Sequence, residues 1–185
     1  YATSTDGINW SKQGQVIALG ANGTFDDRHV HMPIVIKDVS TYKMWYGASD
    51  GNYYRGAYAT SSDGISWTKH GVVIDLGSDG EFDDNRVYQP YVIKDGPIYK
   101  AWYTGNDGGR SRLGYAVSSD GVNWHKKGVM FDHSTSGEFD DLHVYYGSVL
   151  KDGPVYKMWY NGHDGSNVRI GYAVLAMSDP NNTGS

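Results

Sequence analysis

The side chains best able to do chemistry fall into three sets at one spacing. They are Arg28, His29, His31 and Met32; then Asn85, Arg86, Tyr88 and Gln89; then Leu142, His143, Tyr145 and Tyr146. Apart from Met32 and Leu142 these are planar or bidentate groups. Aromatic faces stack on sugar rings, and Arg, Asn, Gln and His bond hydroxyls, so such residues gathered at one opening would make a saccharide site. The plainer reading is rim packing by Tyr and His with no ligand. His29, His31 and His143 are also of a type that ligates metals, but no acidic partner stands at ligand spacing, and the sequence predicts no metal site. Just ahead of each set stands an aspartate, Asp27, Asp84 or Asp141, able to act as acid or base or to close its own loop. Different catalytic roles need environments that push pKa values apart. These three share one local sequence, which favours the loop. Paired aromatics at Tyr53 and Tyr54 offer a second candidate surface.

The sets can be compared because the chain spells one unit three times. Tyr1, Tyr58 and Tyr115 open successive copies, and Tyr172 opens a fourth, each a step of 57 residues from the last. A sustained period of this size marks a repeat architecture. Each copy starts with a short strand (Tyr1–Ser4, Tyr58–Ser61, Tyr115–Ser118) and continues as Ser-x-Asp-Gly-x-x-Trp, ending at Trp10, Trp67 and Trp124. Asp-Gly between strand-like segments signals a hairpin, because Gly takes positive φ and Asp bonds its own backbone. A second strand follows (Gln15–Leu19, Val72–Leu76, Gly128–Phe131), then a polar loop ending in Phe-Asp-Asp. Next comes an apolar strand (Val30–Lys37, Val87–Lys94, Val144–Lys151) whose β-branched density predicts burial on both faces. A Lys-Asp-x turn reverses the chain into Tyr-Lys-x-Trp-Tyr (Tyr42–Tyr46, Tyr99–Tyr103, Tyr156–Tyr160). Four short antiparallel strands per unit, repeated radially, are the blades of a β-propeller. A β-sandwich gives no reason for a repeat in phase.

The phase of the repeat divides the domain, residues 1–180. Residues 1–19 give the outer strands of one blade, 30–76 and 87–131 give two complete blades, and 144–177 give the inner strands of another. Residues 181–185 read as a polar, frayed tail. The N-terminal outer strand is placed to complete the last blade. Three blades fall short of the four to eight typical of propellers, so the sequence predicts either an open arc or a ring completed by oligomerisation. Raw blade edges invite pairing with another chain, and two chains would give six blades.

Composition narrows the partners. Net charge is −5, and the Lys and Arg are dispersed, whereas duplex nucleic acid needs a basic stripe to neutralise phosphates. No apolar run approaches the roughly 20 residues that span a bilayer. With no cysteine, disulfides and thiolate metal sites are excluded. The chain opens at Tyr1, within a repeat, and the sequence is silent on a leader.

The string Val87-x-x-Pro90-x-Val92-Ile93-Lys94-Asp95-Gly96-x-x-Tyr99-Lys100-x-Trp102-Tyr103, followed by Gly114-Tyr115-Ala116-x-Ser118-x-Asp120-Gly121-x-x-Trp124, carries a family likeness. It resembles the five-bladed propeller superfamily of arabinanases, β-xylosidases, invertases and levansucrases, across essentially the whole chain. The Ser-x-Asp-Gly-x-x-Trp turns resemble the Asp-box of sialidase propellers, one residue shorter, which is a turn-stabilising device. The resemblance implies a saccharide ligand, secretion or an extracytoplasmic location, and a channel cation such as calcium. It also implies three carboxylates at the channel mouth, two flanking the scissile glycosidic bond. The family's first Asp stands just before a Pro at the start of an innermost strand. The matching residues here are Met32, Gln89 and Tyr146, none acidic. Asp27, Asp84 and Asp141, five residues upstream, are then the candidates to replace it. The expected function is a glycosidase-like module that binds, and could hydrolyse, an oligo- or polysaccharide. A non-catalytic scaffold for protein partners and a portion of a larger glycoside hydrolase are the alternatives.

Overall fold

The computed structural model describes residues 1–176, apart from the side chains of Gln89, Leu175 and Ala176. The described chain is all-β. A short hairpin, β1 (Ala2–Thr3) with β2 (Ser11–Lys12), comes first. Blade A follows: β3 (His29–Asp38), β4 (Thr41–Ser49), β5 (Tyr54–Ser61) and β6 (Thr68–Ile74), each antiparallel to the last. Blade B repeats it with β7 (Arg86–Asp95), β8 (Ile98–Asn106), β9 (Ser111–Ser118) and β10 (His125–Phe131). Blade C has β11 (His143–Asp152), β12 (Val155–His163) and β13 (Val168–Ala176). The predicted tail, 181–185, lies outside the described residues.

Two expectations are corrected. Among the described residues β1 pairs with β2 and β13 with β12, so the N-terminal strand does not complete blade C within this chain. The apolar strand is not buried on both faces either. As the innermost strand it pairs antiparallel on one side only: in β7 one face is buried, at Val87, Pro90 and Val92, and the other is half-buried, at Tyr88, Tyr91 and Ile93, while β3, in the first blade, is exposed or half-buried throughout. Its β-branched residues suit a pleated, half-covered surface. The deepest strand is instead the Tyr-Lys-x-Trp-Tyr one, where Trp45, Tyr46, Trp102 and Tyr103 are buried.

The hairpins are fixed by their own side chains. In the second copy the Ser61 hydroxyl donates to Asp63 Oδ1 at 2.8 Å, while Asp63 Oδ1 accepts from the backbone N–H groups of Ile65 and Ser66 at 2.8 and 2.7 Å. The indole N–H of Trp67 donates to the Gly64 carbonyl at 3.1 Å. The first and third copies repeat this pattern. Backbone donors from Asn9, Ser66 and Asn123 are the main reason Asp6, Asp63 and Asp120 are held well below the usual carboxylate range.

Neighbouring blades are joined by a buried tryptophan and a carboxylate latch. Trp45 of blade A lies against Tyr99 and Trp124 of blade B, and its indole N–H donates to the Gly121 carbonyl at 2.8 Å. Gly121 has φ +81°, and a Cβ there would lie 2.7 Å from Trp45 Cζ2, so glycine is required twice over. Asp38, at the β3–β4 turn, accepts from Lys94 and Tyr99 of blade B. Asp95 accepts likewise from Lys151 and Tyr156 of blade C. Lys94 and Lys151 are thus blade-edge partners, and Arg55 holds a turn, bonding Asp50 and Asp75, each at 3.0 Å.

Candidate functional site

The first strands of the three blades, β3, β7 and β11, carry the varied residues. Each strand bulges where they stand: register shifts fall between His31 and Ile34, Tyr88 and Tyr91, and Tyr145 and Ser148. A bulge re-aims the side chains beside it. Met32 and Tyr146 sit in it at φ 51° and 53°, a region that side chains other than glycine seldom occupy and that clusters at functional sites. The strained backbone of Tyr146 is held by a neighbouring blade, its N–H donating to Thr104 Oγ1 at 3.0 Å.

Together with β5, which carries Tyr54, these strands bring rings from all three blades into one row. His29 stacks on Tyr54 with centroids 6.1 Å apart, and His31 meets the same ring edge-on at 5.7 Å. Tyr54 lies 5.0 Å from Tyr88, Tyr88 6.1 Å from Tyr146, and Tyr146 5.1 Å from Tyr145. Arg86 joins the row: its Nη1 donates to Tyr88 Oη at 3.2 Å, and its guanidinium lies 6.0 Å from the Tyr54 centroid. Between blades B and C a solvent-open cleft of about 270 Å³ is lined by Tyr88, Thr104, Ser111, His143, Tyr145, Tyr146 and His163, near the small end of small-molecule sites.

Electrostatics at the row favour neutral rings. Burial, then the nearby His29, lowers the pKa of His31. His31 packs over Gly47, where a Cβ would come within 2.9 Å of the ring, and its Nε2 is buried without a hydrogen bond. His143 is also lowered, by burial first and then by His163, whose ring stacks on it at 5.4 Å. Its Nδ1 accepts the Ser111 N–H at 3.1 Å, which fixes that nitrogen as the unprotonated one. Burial and then Tyr88 raise the Tyr146 hydroxyl.

The aspartates close loops. Asp27, Asp84 and Asp141 each accept, through Oδ2, the N–H of the glycine four residues earlier: Gly23 at 2.7 Å, Gly80 at 2.8 Å and Gly137 at 2.7 Å. Asp27 Oδ1 is buried with no hydrogen bond, and Arg28 Nε stands 3.9 Å away. Arg28 is mostly exposed. Asn85, like Arg28, anchors its backbone to the blade's second strand, its N–H donating to the Asn106 carbonyl at 3.1 Å. Gln89 lies on β7 within the bulged stretch. Among the described residues no three His, Asp or Glu side chains gather as a metal site, and the channel cation has no cluster behind it.

Sequence reasoning treated Tyr54 as part of a separate loop surface, and the structure corrects this. A parallel bridge sets Tyr54 beside Arg86, placing its ring between His29 and Tyr88. Tyr53 points elsewhere, its ring 5.1 Å from the Arg55 guanidinium. Thr104, Ser111 and His163 were missed. For Ser111, as for Tyr54, the signal was present: Tyr54, Ser111 and Val168 occupy one repeat position with three different side chains.

Repeated four-stranded blades in an all-β chain, with the varied residues at the start of the innermost strands, give the fold of propeller-type glycoside hydrolases and phosphorylases. Solved structures agree. A β-1,2-mannobiose phosphorylase from Listeria innocua superposes with a TM-score of 0.77 at 18% identity, over 97% of this chain and 49% of that one. A glycoside hydrolase matches at 0.72 and 18%, over 92% and 53%. A family 117 glycoside hydrolase of Zobellia galactanivorans matches at 0.67 and 16%, over 78% and 51%. An uncharacterized Mycobacterium tuberculosis protein, matched in two strains, is 34% identical over 119 residues, 63% of this chain and 38% of that protein. The chain thus spans about two fifths of its curated relatives and about half of these structures. No protein-family model matches. The resemblance seen in the sequence holds at the level of fold.

Proposed function

We propose that this chain is a saccharide-binding module of a glycosidase-like propeller, taking an oligo- or polysaccharide across the ring row at the channel mouth. The observation that carries this reading is the unbroken series His29, Tyr54, Tyr88, Tyr146 and Tyr145, contributed by strands of all three blades. Rings in file present faces and edges to pyranose C–H groups, while Arg86, Thr104, Ser111 and the histidines supply directional hydrogen bonds. The glycosidase and phosphorylase fold supports a sugar as ligand. A glycan array, with β-1,2-mannobiose included because the Listeria innocua structure holds it, would identify a probe. Titration of that probe into Tyr88→Ala and Arg86→Ala should show affinity reduced about tenfold or more, since a lost interaction of about 1.4 kcal/mol already gives that factor. Unchanged titrations in both variants would remove the idea.

A second reading, hydrolysis, draws on the unbonded, buried Oδ1 of Asp27. Release of reducing ends from the bound glycan should then vanish in Asp27→Asn while the melting temperature stays within a few degrees. Turnover that persists in Asp27→Asn assigns the aspartate to loop closure alone. Recovery of a stoichiometric protein partner, with no glycan retained on the array, favours the scaffold reading instead.

A further inference from the structure

Beside the cleft that holds Ser111, His143 and His163 lies a second solvent-open cleft of about 390 Å³, whose walls include Arg110, Leu142 and Asp164. Each of these three is the chain neighbour of one residue of the first cleft. The two clefts therefore abut where β9 and β11 begin and β12 ends. The second carries the channel mouth outward between blades B and C. Its walls are the β8–β9 turn, the β10–β11 loop and the β12–β13 turn, all of them inside the described chain.

The repeat separates scaffold from use in this cleft. Its two carboxylates, Asp141 and Asp164, have Asp84 and Asp107 one unit earlier, and both hold turns. Asp141 accepts the Gly137 N–H at 2.7 Å. Asp164 accepts the N–H groups of Ser166 and Asn167 at 2.8 Å each and pairs with Arg169. The remaining polar residues are not repeated. Arg110, His133, Ser134 and Ser136 stand where the preceding unit has Tyr53, Leu76, Gly77 and Asp79. A cation, an imidazole and two hydroxyls thus mark the junction of blades B and C and not that of blades A and B.

Arg110 is exposed and, among the described residues, has no carboxylate partner for its guanidinium, whereas Arg55, Arg112 and Arg169 are each paired. Its backbone N–H donates to Asp107 Oδ1 at 2.7 Å, which sets the turn, and its Nη1 stands 2.9 Å from His133 Nε2. Asp132, 3.3 Å from the same ring nitrogen, is already bonded by Arg112 at 3.1 Å. A guanidinium resting on an imidazole keeps its charge, and its fork of donors fits a planar carboxylate. That charge reaches the first cleft: after burial and His163, Arg110 is the next cause that lowers His143. Asp132, Asp141 and Asp164 nearby favour a singly charged guest over a dianion such as phosphate. We infer that the saccharide taken across the ring row is acidic, a uronic acid unit placing its carboxylate on Arg110 and His133 and its hydroxyls on Ser134 and Ser136. This rests on the binding reading above and adds to it the class of sugar.

The test is a glycan array printed with oligogalacturonate, oligoalginate and glucuronoxylan fragments, each beside the same fragment with its carboxyls reduced to hydroxymethyl groups. At least one acid should be retained, and its reduced form should bind about tenfold or more weakly, as a lost charge-assisted bond requires. In calorimetric titration Arg110→Gln should bring that acid down to the affinity of its reduced form. Arg110 is exposed, so the melting temperature of the variant should stay within a few degrees. Retention of neutral glycans without any acid overturns the inference while leaving the ring row a saccharide site. Retention of no glycan overturns both. An acid whose advantage over its reduced form survives Arg110→Gln also overturns it, because the carboxylate is then read elsewhere on the mouth.

Discussion

Val39 shows how one residue can depart from its repeat and be strained for it. It sits at φ 56°, mostly exposed, where the other copies have Gly96 at 60° and Gly153 at 57°. A left-handed L-residue costs roughly 1–2 kcal/mol, part of it returned when glycine's extra unfolded-state freedom is counted. Val39→Gly should therefore raise stability by up to about 1 kcal/mol in urea unfolding, since no buried contact is lost. His143 makes a pH prediction. Burial, then His163, Arg110 and His133, hold it below its ordinary 6.5, with Asp107 opposing. As pH falls the unfolded chain binds the proton first, so stability present above the unfolded value is lost as pH drops from there towards the folded value. The melting temperature should decline as pH falls through and below about 6.5. His143→Asn, which keeps an acceptor for the Ser111 N–H, should flatten that decline, and an unaltered slope would contradict the assignment. The planar chemistry of this site was legible from residue types alone. That Tyr54 belongs to it was not, because its place depends on one bridge between strands 32 positions apart in sequence.

At the scale of elements, turn chemistry was the most readable signal. Asp-Gly and the tryptophan after it specify each hairpin through bonds that never leave seven residues. The union of blades was not readable, because it joins residues about one repeat and a third apart, as Trp45 and Gly121 are. This separation also provides a test. Gly7 and Gly121 share positive φ, yet a Cβ at Gly7 meets nothing within 4 Å while at Gly121 it strikes Trp45. Gly7→Ala should cost only the backbone term, about 1–2 kcal/mol. Gly121→Ala should cost measurably more in the same denaturant titration, and equal losses would mean that the tryptophan contact carries no weight. The bulges at Met32 and Tyr146 were likewise hidden. Period-2 patterning reports which face a residue takes, not where the ladder slips.

For the whole molecule, the 57-residue period and the antiparallel strand signals were enough to assign the propeller fold. Where the rings would converge needed coordinates, because the row crosses three blades and draws on third strands as well as first strands. That row is the central claim, and calorimetric titration of the unmodified chain and of Tyr88→Ala with the glycan best retained on an array tests it most directly. The account predicts saturable heat for the unmodified chain and its loss in Tyr88→Ala at an unchanged melting temperature. Equal affinity in the two proteins, or no glycan bound by either, would contradict it.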